Sequence, residues 1–190
     1  MKLALACLCL LLSGCETTSF QAPPVAERAC DPALVGTWDS IGDKHEENGE
    51  VELRIDDKCT LLFVEHEQDG TKEGTSTQLH VGNDRGAGYL WVDGGWVQSR
   101  FDMKTPAPAG DIFLVSYRIR NDRLTLQAPD DKAIAHRIID GKIKGEVRRI
   151  DGNLANRLLA PVDPAVLRQA GFFDKEKAEL RRRAPGTRHE

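Results

Sequence analysis

The sequence lacks several features that would assign it to a class at once. Outside its first residues it has no apolar run near the ~20 residues that a membrane-spanning helix needs. Basic residues are not in excess: 26 Lys and Arg face 30 Asp and Glu, and the formal net charge of −4 argues against nucleic acid as a partner. Nucleophile-elbow serines, glycine-rich phosphate loops and His-Glu-x-x-His pairs are missing as well. The sequence therefore predicts a non-enzymatic protein with no cofactor.

The first 14 residues have the layout of an export signal. Lys2 precedes an apolar run over residues 3–12 that contains only Leu, Ala and Cys. One positive charge followed by about ten apolar residues is typical of a secretory signal peptide. The run ends in Leu12-Ser13-Gly14-Cys15, which resembles the lipobox of bacterial lipoproteins. An ordinary secretory leader that ends near a cysteine by chance is the alternative.

The lipobox resemblance implies a lipid anchor. In that family residues 1–14 are removed and the new N-terminal cysteine, here Cys15, carries a diacylglyceryl group on sulfur and an acyl chain on its amine. At ~0.8 kcal/mol per buried methylene, several chains hold a domain durably on a membrane. In lipoproteins of Gram-negative bacteria an Asp after the cysteine favours the inner membrane. Glu16 stands there, so we expect the outer membrane, facing the periplasm.

The remaining cysteines predict one disulfide. Cys7 and Cys9 leave with the leader and Cys15 takes the lipid, so that Cys30 and Cys59 remain. An even remainder in an oxidising compartment favours a disulfide, which would contribute ~3 to 4 kcal/mol in the chain-entropy model. Two separate thiols or a metal pair are the alternative, although no further Cys or His stands at ligand spacing.

The chain ahead of Cys30 is expected to be a tether. Residues 15–29 are polar and small, include Pro23-Pro24 and have no apolar period. Such a composition predicts a flexible spacer between the lipid and the folded domain.

A mainly β domain is predicted over residues 30–152. Apolar residues alternate there with polar ones, and turn residues such as Asn121-Asp122, Asp93-Gly94-Gly95 and Asp140-Gly141 punctuate the pattern. A meander of about ten antiparallel strands usually curls into a barrel or sandwich. The predicted strands are Val35–Ser40, Glu50–Ile55, Cys59–His66, Ser76–Val81, Gly88–Val92, Trp96–Phe101, Asp111–Ile119, Arg123–Gln127, Lys132–Ile138 and Lys142–Ile150.

A helical tail is predicted over residues 153–190. Asp163-Pro164 suits the start of a helix that Gly171 would end. A second, charged helix is expected from Asp174 to about Arg183.

The start of the strand series resembles the Gly-x-Trp signature of lipocalins, here Gly36 and Trp38. The resemblance implies a lipocalin-like barrel whose closed end the indole fills. In that superfamily an arginine of the last strand often covers the tryptophan, and Arg148 or Arg149 holds the matching place in chain order. Another kind of β-sandwich with Trp38 in its core is the alternative.

Four aromatic residues stand on one predicted hairpin: Tyr89, Trp91, Trp96 and Phe101. They can form the wall of an apolar ligand pocket, or they can be plain core packing. His66, between Glu65 and Glu67, is interpreted as part of a solvated acidic face rather than a metal site, and the same interpretation applies to His45.

These features predict an envelope lipoprotein whose barrel binds a small apolar ligand or another envelope component. One alternative is a structural or assembly lipoprotein that docks other proteins through its surface and its charged tail. In that case deletion of residues 172–190 would abolish partner capture without unfolding the barrel. A periplasmic enzyme with converging carboxylates is another.

Overall fold

A computed structural model describes residues 16–41, 50–67, 70–101, 103, 105–150 and 152–184. The leader, Cys15, His45 and His189 lie outside these ranges. The described strands are β1 (Thr17–Phe20), β2 (Glu27–Arg28), β3 (Gly36–Ser40), β4 (Glu50–Ile55), β5 (Thr60–Glu67), β6 (Gly70–Glu73), β7 (Thr77–Gln78), β8 (His80–Asp84), β9 (Ala87–Asp93), β10 (Ile112–Arg120), β11 (Arg123–Gln127), β12 (Gly145–Ile150), β13 (Asn153–Leu158) and β14 (Ala178–Arg182). The described helices are α1 (Gly94–Phe101), α2 (Asp131–Ile139) and α3 (Pro164–Leu167).

All fourteen strands belong to one sheet, ordered β12-β13-β1-β10-β11-β14-β3-β4-β5-β6 along its main path. Strand β9 pairs with β10, β8 with β9, β2 with β8, and β7 with β5. Every pair is antiparallel except β1 with β13. The mainly β, antiparallel architecture is confirmed, whereas this path is open, with β12 and β6 at its ends, and does not by itself form the predicted barrel.

The sheet separates two hydrophobic cores. The first contains Trp38 and the inward residues of β4, β5, β11 and β14. The second contains Phe20, Tyr89, Trp91 and Phe172, and α2 covers it with Ile134. Strand β9 serves both cores because successive side chains point to opposite faces: Leu90 lies in the first core, Tyr89 and Trp91 in the second.

The predicted disulfide is confirmed. Cys30 and Cys59 are bonded, with their Cα atoms 5.5 Å apart. The bond ties the segment before β3 to the turn between β4 and β5, where Cys59 has a φ of 60°.

Two predicted strands are helices. Trp96–Phe101 lies in α1, because the carboxylate of Asp93 accepts the backbone N–H of Trp96 at 3.0 Å and caps the first turn. Lys132–Ile138 lies in α2, where Asp130 is the N-cap and accepts from Ala133 N–H at 2.9 Å. In both segments a capping aspartate outweighs a short apolar pattern that also fits a strand.

The helical tail predicted over residues 153–190 is wrong at both ends. Its first residues form strand β13, Asn153–Leu158, which belongs to the sheet. The start of α3 is confirmed, with Asp163 capping and Pro164 in its first turn, but the helix ends at Leu167 and does not extend to Gly171. The second helix is wrong: Ala178–Arg182 forms β14, which pairs with β11 on one side and β3 on the other. Ala178 and Leu180 alternate as buried residues, which is the period of a strand and leaves no helical stripe.

The flexible tether predicted over residues 15–29 is also wrong, because this segment contains β1 and also β2, which pairs with β8. Thr17–Phe20 is strand β1, and all four of its residues are buried. It lies parallel to β13, with Thr17 opposite Ala155 and Phe20 opposite Leu158. Among the described residues, none of the helices is long and apolar enough to cross a membrane.

Candidate functional site

An apolar cavity of about 120 Å³ is lined mainly by residues of the first core, together with Trp91 and Leu114 of the second. This volume is about ten times the ~10–15 Å³ that one water molecule requires. Strands β4, β5, β9, β10 and β11 supply most of its wall, and α1 lies across it. The apolar lining residues are Leu53, Ile55, Leu61, Phe63, Leu79, Leu90, Trp91, Val92, Trp96, Val97, Phe101, Phe113, Leu114, Val115, Leu124, Leu126, Ala128 and Pro129. A cavity with such a wall suits a small apolar molecule.

The cavity has a polar boundary on one side. Glu16, Thr17, Thr18 and Asp131 line it there, beside Ala128 and Pro129. We call these six residues the rim. Glu16, Ala128 and Asp131 are half-buried, so that the rim reaches the protein surface. The only charged residues among those lining the cavity in the described chain are Glu16 and Asp131, both acidic.

Hydrogen bonds hold the rim to the rest of the fold. Thr18 donates its hydroxyl to Asp131 Oδ1 at 2.6 Å. Asn156 donates from Nδ2 both to Thr18 Oγ1 at 3.1 Å and to the Asp131 carbonyl at 2.8 Å. Strands β1 and β13 and helix α2 therefore meet in one polar network beside the apolar wall.

The surroundings of Asp131 favour the neutral form of its carboxyl. Burial raises the pKa of its carboxyl to about 7, against the opposing hydrogen bond from Thr18. The negative charges of Glu16, Asp130 and Asp174 raise it further. The sequence analysis did not identify this residue, which fell between the predicted strands Arg123–Gln127 and Lys132–Ile138. No local pattern shows that β1 returns to it across more than a hundred residues.

The four predicted aromatic residues separate into two environments. Trp96 and Phe101 line the cavity, with ring centroids 6.1 Å apart, and Phe101 packs edge-on against Phe63 at 5.3 Å. Trp91 borders the cavity as part of β9, but its ring stacks on His80 at 5.8 Å.

Tyr89 does not line the cavity. It stacks on Phe173 in the second core at 6.1 Å, and burial raises its hydroxyl pKa. It borders a separate, more polar groove of about 730 Å³ that also includes Tyr117 and Arg168. Trp96 and Phe101 therefore form part of the apolar wall, as predicted, and the prediction is wrong for Tyr89.

The arginine over Trp38 is Arg182, and the assignment to Arg148 or Arg149 is wrong. The Arg182 guanidinium carbon lies 4.1 Å from the centre of the Trp38 ring. Arg148 instead pairs with Glu146 at 2.7 Å, and Arg149 lies on β12 opposite Leu154, at the end of the main path. The arginine over Trp38 therefore comes from β14, the last strand among the described residues, and not from β12.

Gly36 and Trp38 both lie on β3, next to the Arg182 guanidinium. Trp38 is fully buried and donates its indole N–H to the Leu34 carbonyl at 2.7 Å. Gly36 has a φ of +135°, and a Cβ there would come within 2.8 Å of Arg182 Nη1. A side chain at Gly36 would thus displace the arginine from the ring.

A charged cluster surrounds Glu52. Burial of this carboxyl favours its neutral form, but hydrogen bonds from Arg54, His66 and Arg183 prevail and lower its pKa to about 2. His66 Nε2 lies 3.0 Å and Arg183 Nη2 2.8 Å from Glu52 Oε2. Asp39 accepts from Arg183 in turn. The cluster joins β3, β4, β5 and the chain after β14.

His66 does not lie on a solvated acidic face with Glu65. It bonds Glu52, whereas Glu65 is buried and forms an ion pair with Arg100 Nη2 at 2.7 Å. The Arg100 guanidinium also lies 4.8 Å from the centre of the Phe63 ring. Within the described ranges, no group of three or more His, Cys, Asp or Glu side chains is arranged to hold a metal ion.

Comparison with known proteins gives no match: no protein family fits the chain, and no curated protein or solved structure is significantly similar to it. The cavity and its rim are therefore the starting point for a functional assignment.

Proposed function

We propose that this chain is a non-enzymatic envelope lipoprotein that binds a small apolar ligand in the cavity of its β domain. The observation that carries the proposal is the cavity itself, whose wall is almost entirely apolar and contains no basic side chain among the described residues. Apolar pockets with a few polar groups at one end are the usual form of small-molecule sites. At about 120 Å³ the cavity suits a ligand with a short chain or a single ring.

The proposal includes a lipocalin-like barrel around the cavity. Its support is that β7 pairs with β5 while β8 pairs with β9, and only Leu79 separates β7 from β8. Leu79 also donates its backbone N–H to the Cys59 carbonyl at 2.8 Å. A segment that pairs on both sides in this way would join the β3-β4-β5 part of the sheet to the β9-β10-β11-β14 part. The stacking of Arg182 on Trp38 agrees with the same family resemblance.

The location is proposed from the sequence. The lipobox-like Leu12-Ser13-Gly14-Cys15 supports export and acylation of Cys15, and Glu16 supports the outer membrane, facing the periplasm. Intact-mass measurement of protein isolated from membranes tests this part: the expected mass is that of residues 15–190 plus a diacylglyceryl group and an acyl chain. An unmodified Cys15 would refute it.

Native mass spectrometry of the intact protein tests ligand binding. We expect a co-purified apolar molecule, and loss of that molecule in Val115→Phe, which fills space at the cavity wall. Val162→Phe is the matched control, because Val162 is buried in the second core and does not line the cavity. A wild-type protein that is ligand-free and whose methyl resonances do not respond to benzene would refute the ligand-binding proposal.

A further inference from the structure

The chain between Cys15 and the fold is one residue long. Glu16 is half-buried, and Thr17 already begins β1. Neighbouring Cα atoms are ~3.8 Å apart. A lipid on Cys15 would therefore begin beside the folded surface, since no spacer follows it.

Strand β1 is firmly fixed in that place. Its four residues are buried and all four pair with β13. Ser19 donates to Asp111 Oδ2 at 2.9 Å, and Phe20 is fully buried against Phe172 in the second core. Releasing β1 to act as a spacer would expose Phe20 and leave buried polar groups without partners, so the strand is expected to stay in the sheet.

The point of attachment coincides with the rim of the cavity. Glu16, Thr17 and Thr18 are at once the residues that follow Cys15 and residues that line the cavity. We infer that the rim lies against the membrane surface, so that the cavity opens onto the bilayer and not onto the periplasm. This inference rests on the proposed lipid anchor and adds the orientation of the domain and the route of its ligand.

The chemistry of the rim fits a lipid surface. Ala128 and Pro129 are apolar, and the Thr18 hydroxyl donates its hydrogen bond to Asp131. Since the pKa of Asp131 is raised to about 7, this carboxyl faces a low-dielectric surface with less charge than an ordinary aspartate. An apolar ligand dissolved in the bilayer would then reach the cavity without crossing water.

The test is fluorescence quenching in vesicles. The full-length, processed protein is reconstituted in phosphatidylcholine vesicles that contain headgroup-nitroxide phosphatidylcholine. A fluorophore is attached at Lys132→Cys, next to the rim, or at Asp122→Cys, at the other end of β11, about 17 Å of strand away. Both native residues are exposed. We expect several-fold stronger quenching at position 132 than at position 122.

A linker variant supplies the control. A Gly/Ser insert of about ten residues between Cys15 and Glu16 has a root-mean-square span of ~17 Å and should remove the difference between the two positions. Intact mass is measured first, because an unlipidated Cys15 refutes the anchor and with it the orientation. Lipidated protein with equal quenching at both positions, or stronger quenching at position 122, overturns the orientation alone.

Discussion

Arg182 lies over the indole of Trp38, with its guanidinium carbon 4.1 Å from the ring centre. The same guanidinium donates to the carbonyls of Val35 and Ala33, and Gly36 leaves the space that it occupies. One side chain of the last strand thus fastens the segment that leads into β3 to the tryptophan that fills this part of the core.

Replacement of Arg182 is expected to destabilise the domain. Arg182→Ala removes a shielded cation–π contact and two hydrogen bonds, and we expect a loss of ~2 to 3 kcal/mol in the free energy of unfolding. Arg181→Ala is the control, because the neighbouring Arg181 is exposed. Urea denaturation followed by tryptophan fluorescence measures both. Equal stability of the two variants would show that the stacking contributes nothing.

Removal of the chain from Asp174 onward is expected to unfold the domain. Strand β14 separates β11 from β3, and its Ala178 and Leu180 are buried in the first core. Deletion of residues 185–190 is the control, since it leaves β14 whole. Far-ultraviolet circular dichroism and amide dispersion in NMR spectra compare the two. A folded protein without residues 174–190 would contradict the pairing of β14.

The carboxyl of Asp131 is expected to reduce stability at neutral and higher pH. Its pKa is about 7 in the folded protein against an ordinary value of 3.8 in the unfolded chain, so the folded protein holds the extra proton between these values. Stability from this group is therefore complete below pH 3.8 and is lost as the pH rises through 7.

Asp131→Asn should remove that loss. The amide oxygen can still accept from Thr18, so we expect the variant to be more stable than the wild type by ~1 to 3 kcal/mol at pH 8 and nearly equal to it at pH 4. Asp57→Asn, at an exposed aspartate in the β4–β5 turn, controls for net charge. Chemical denaturation at several pH values measures the effect. A gain that does not depend on pH would argue against a titrating Asp131.

The Glu52 cluster is expected to act in the opposite direction. The pKa of the Glu52 carboxyl is lowered from 4.5 to about 2. The stability that this carboxyl contributes is therefore present above pH 4.5 and is lost as the pH falls through 2. Glu52→Gln removes the buried negative charge that accepts from His66 and Arg183 and should cost ~1 to 3 kcal/mol at pH 7. Glu146→Gln, which alters an exposed pair with Arg148, should cost little. Thermal unfolding at pH 7 and pH 3 should show the gap between Glu52→Gln and the wild type shrinking at pH 3.

The sequence was informative where local chemistry decides the structure. Asn121-Asp122 was predicted to be a tight turn, and both residues have positive φ values, of 48° and 58°. Strand β4 was predicted from the alternation of its apolar and polar residues, and the start of α3 from Asp163-Pro164. Both patterns lie within the element that they predict. The disulfide followed from counting cysteines.

The remainder depended on distant partners. Nothing near Thr17–Phe20 indicates that β13 will pair with it, and the polarity of Thr17, Thr18 and Ser19 suggested a linker instead. Those hydroxyls are satisfied by Thr105, Asp131 and Asp111. The prediction of the arginine over Trp38 was wrong for the same reason. The residues of β14 do not indicate which strands it will pair with, and its partners β11 and β3 are distant in the chain.

The parallel pairing of β1 with β13 has a consequence for biogenesis. Thr18 and Asn156, which bond across these strands, are 138 residues apart in the chain. A nascent chain cannot complete its second core until almost all of it has been synthesised, and contacts of such long range form slowly. If the protein is exported as proposed, this delay keeps the emerging polypeptide unfolded while the translocation machinery threads it, and folding then becomes a late event on the far side of the membrane.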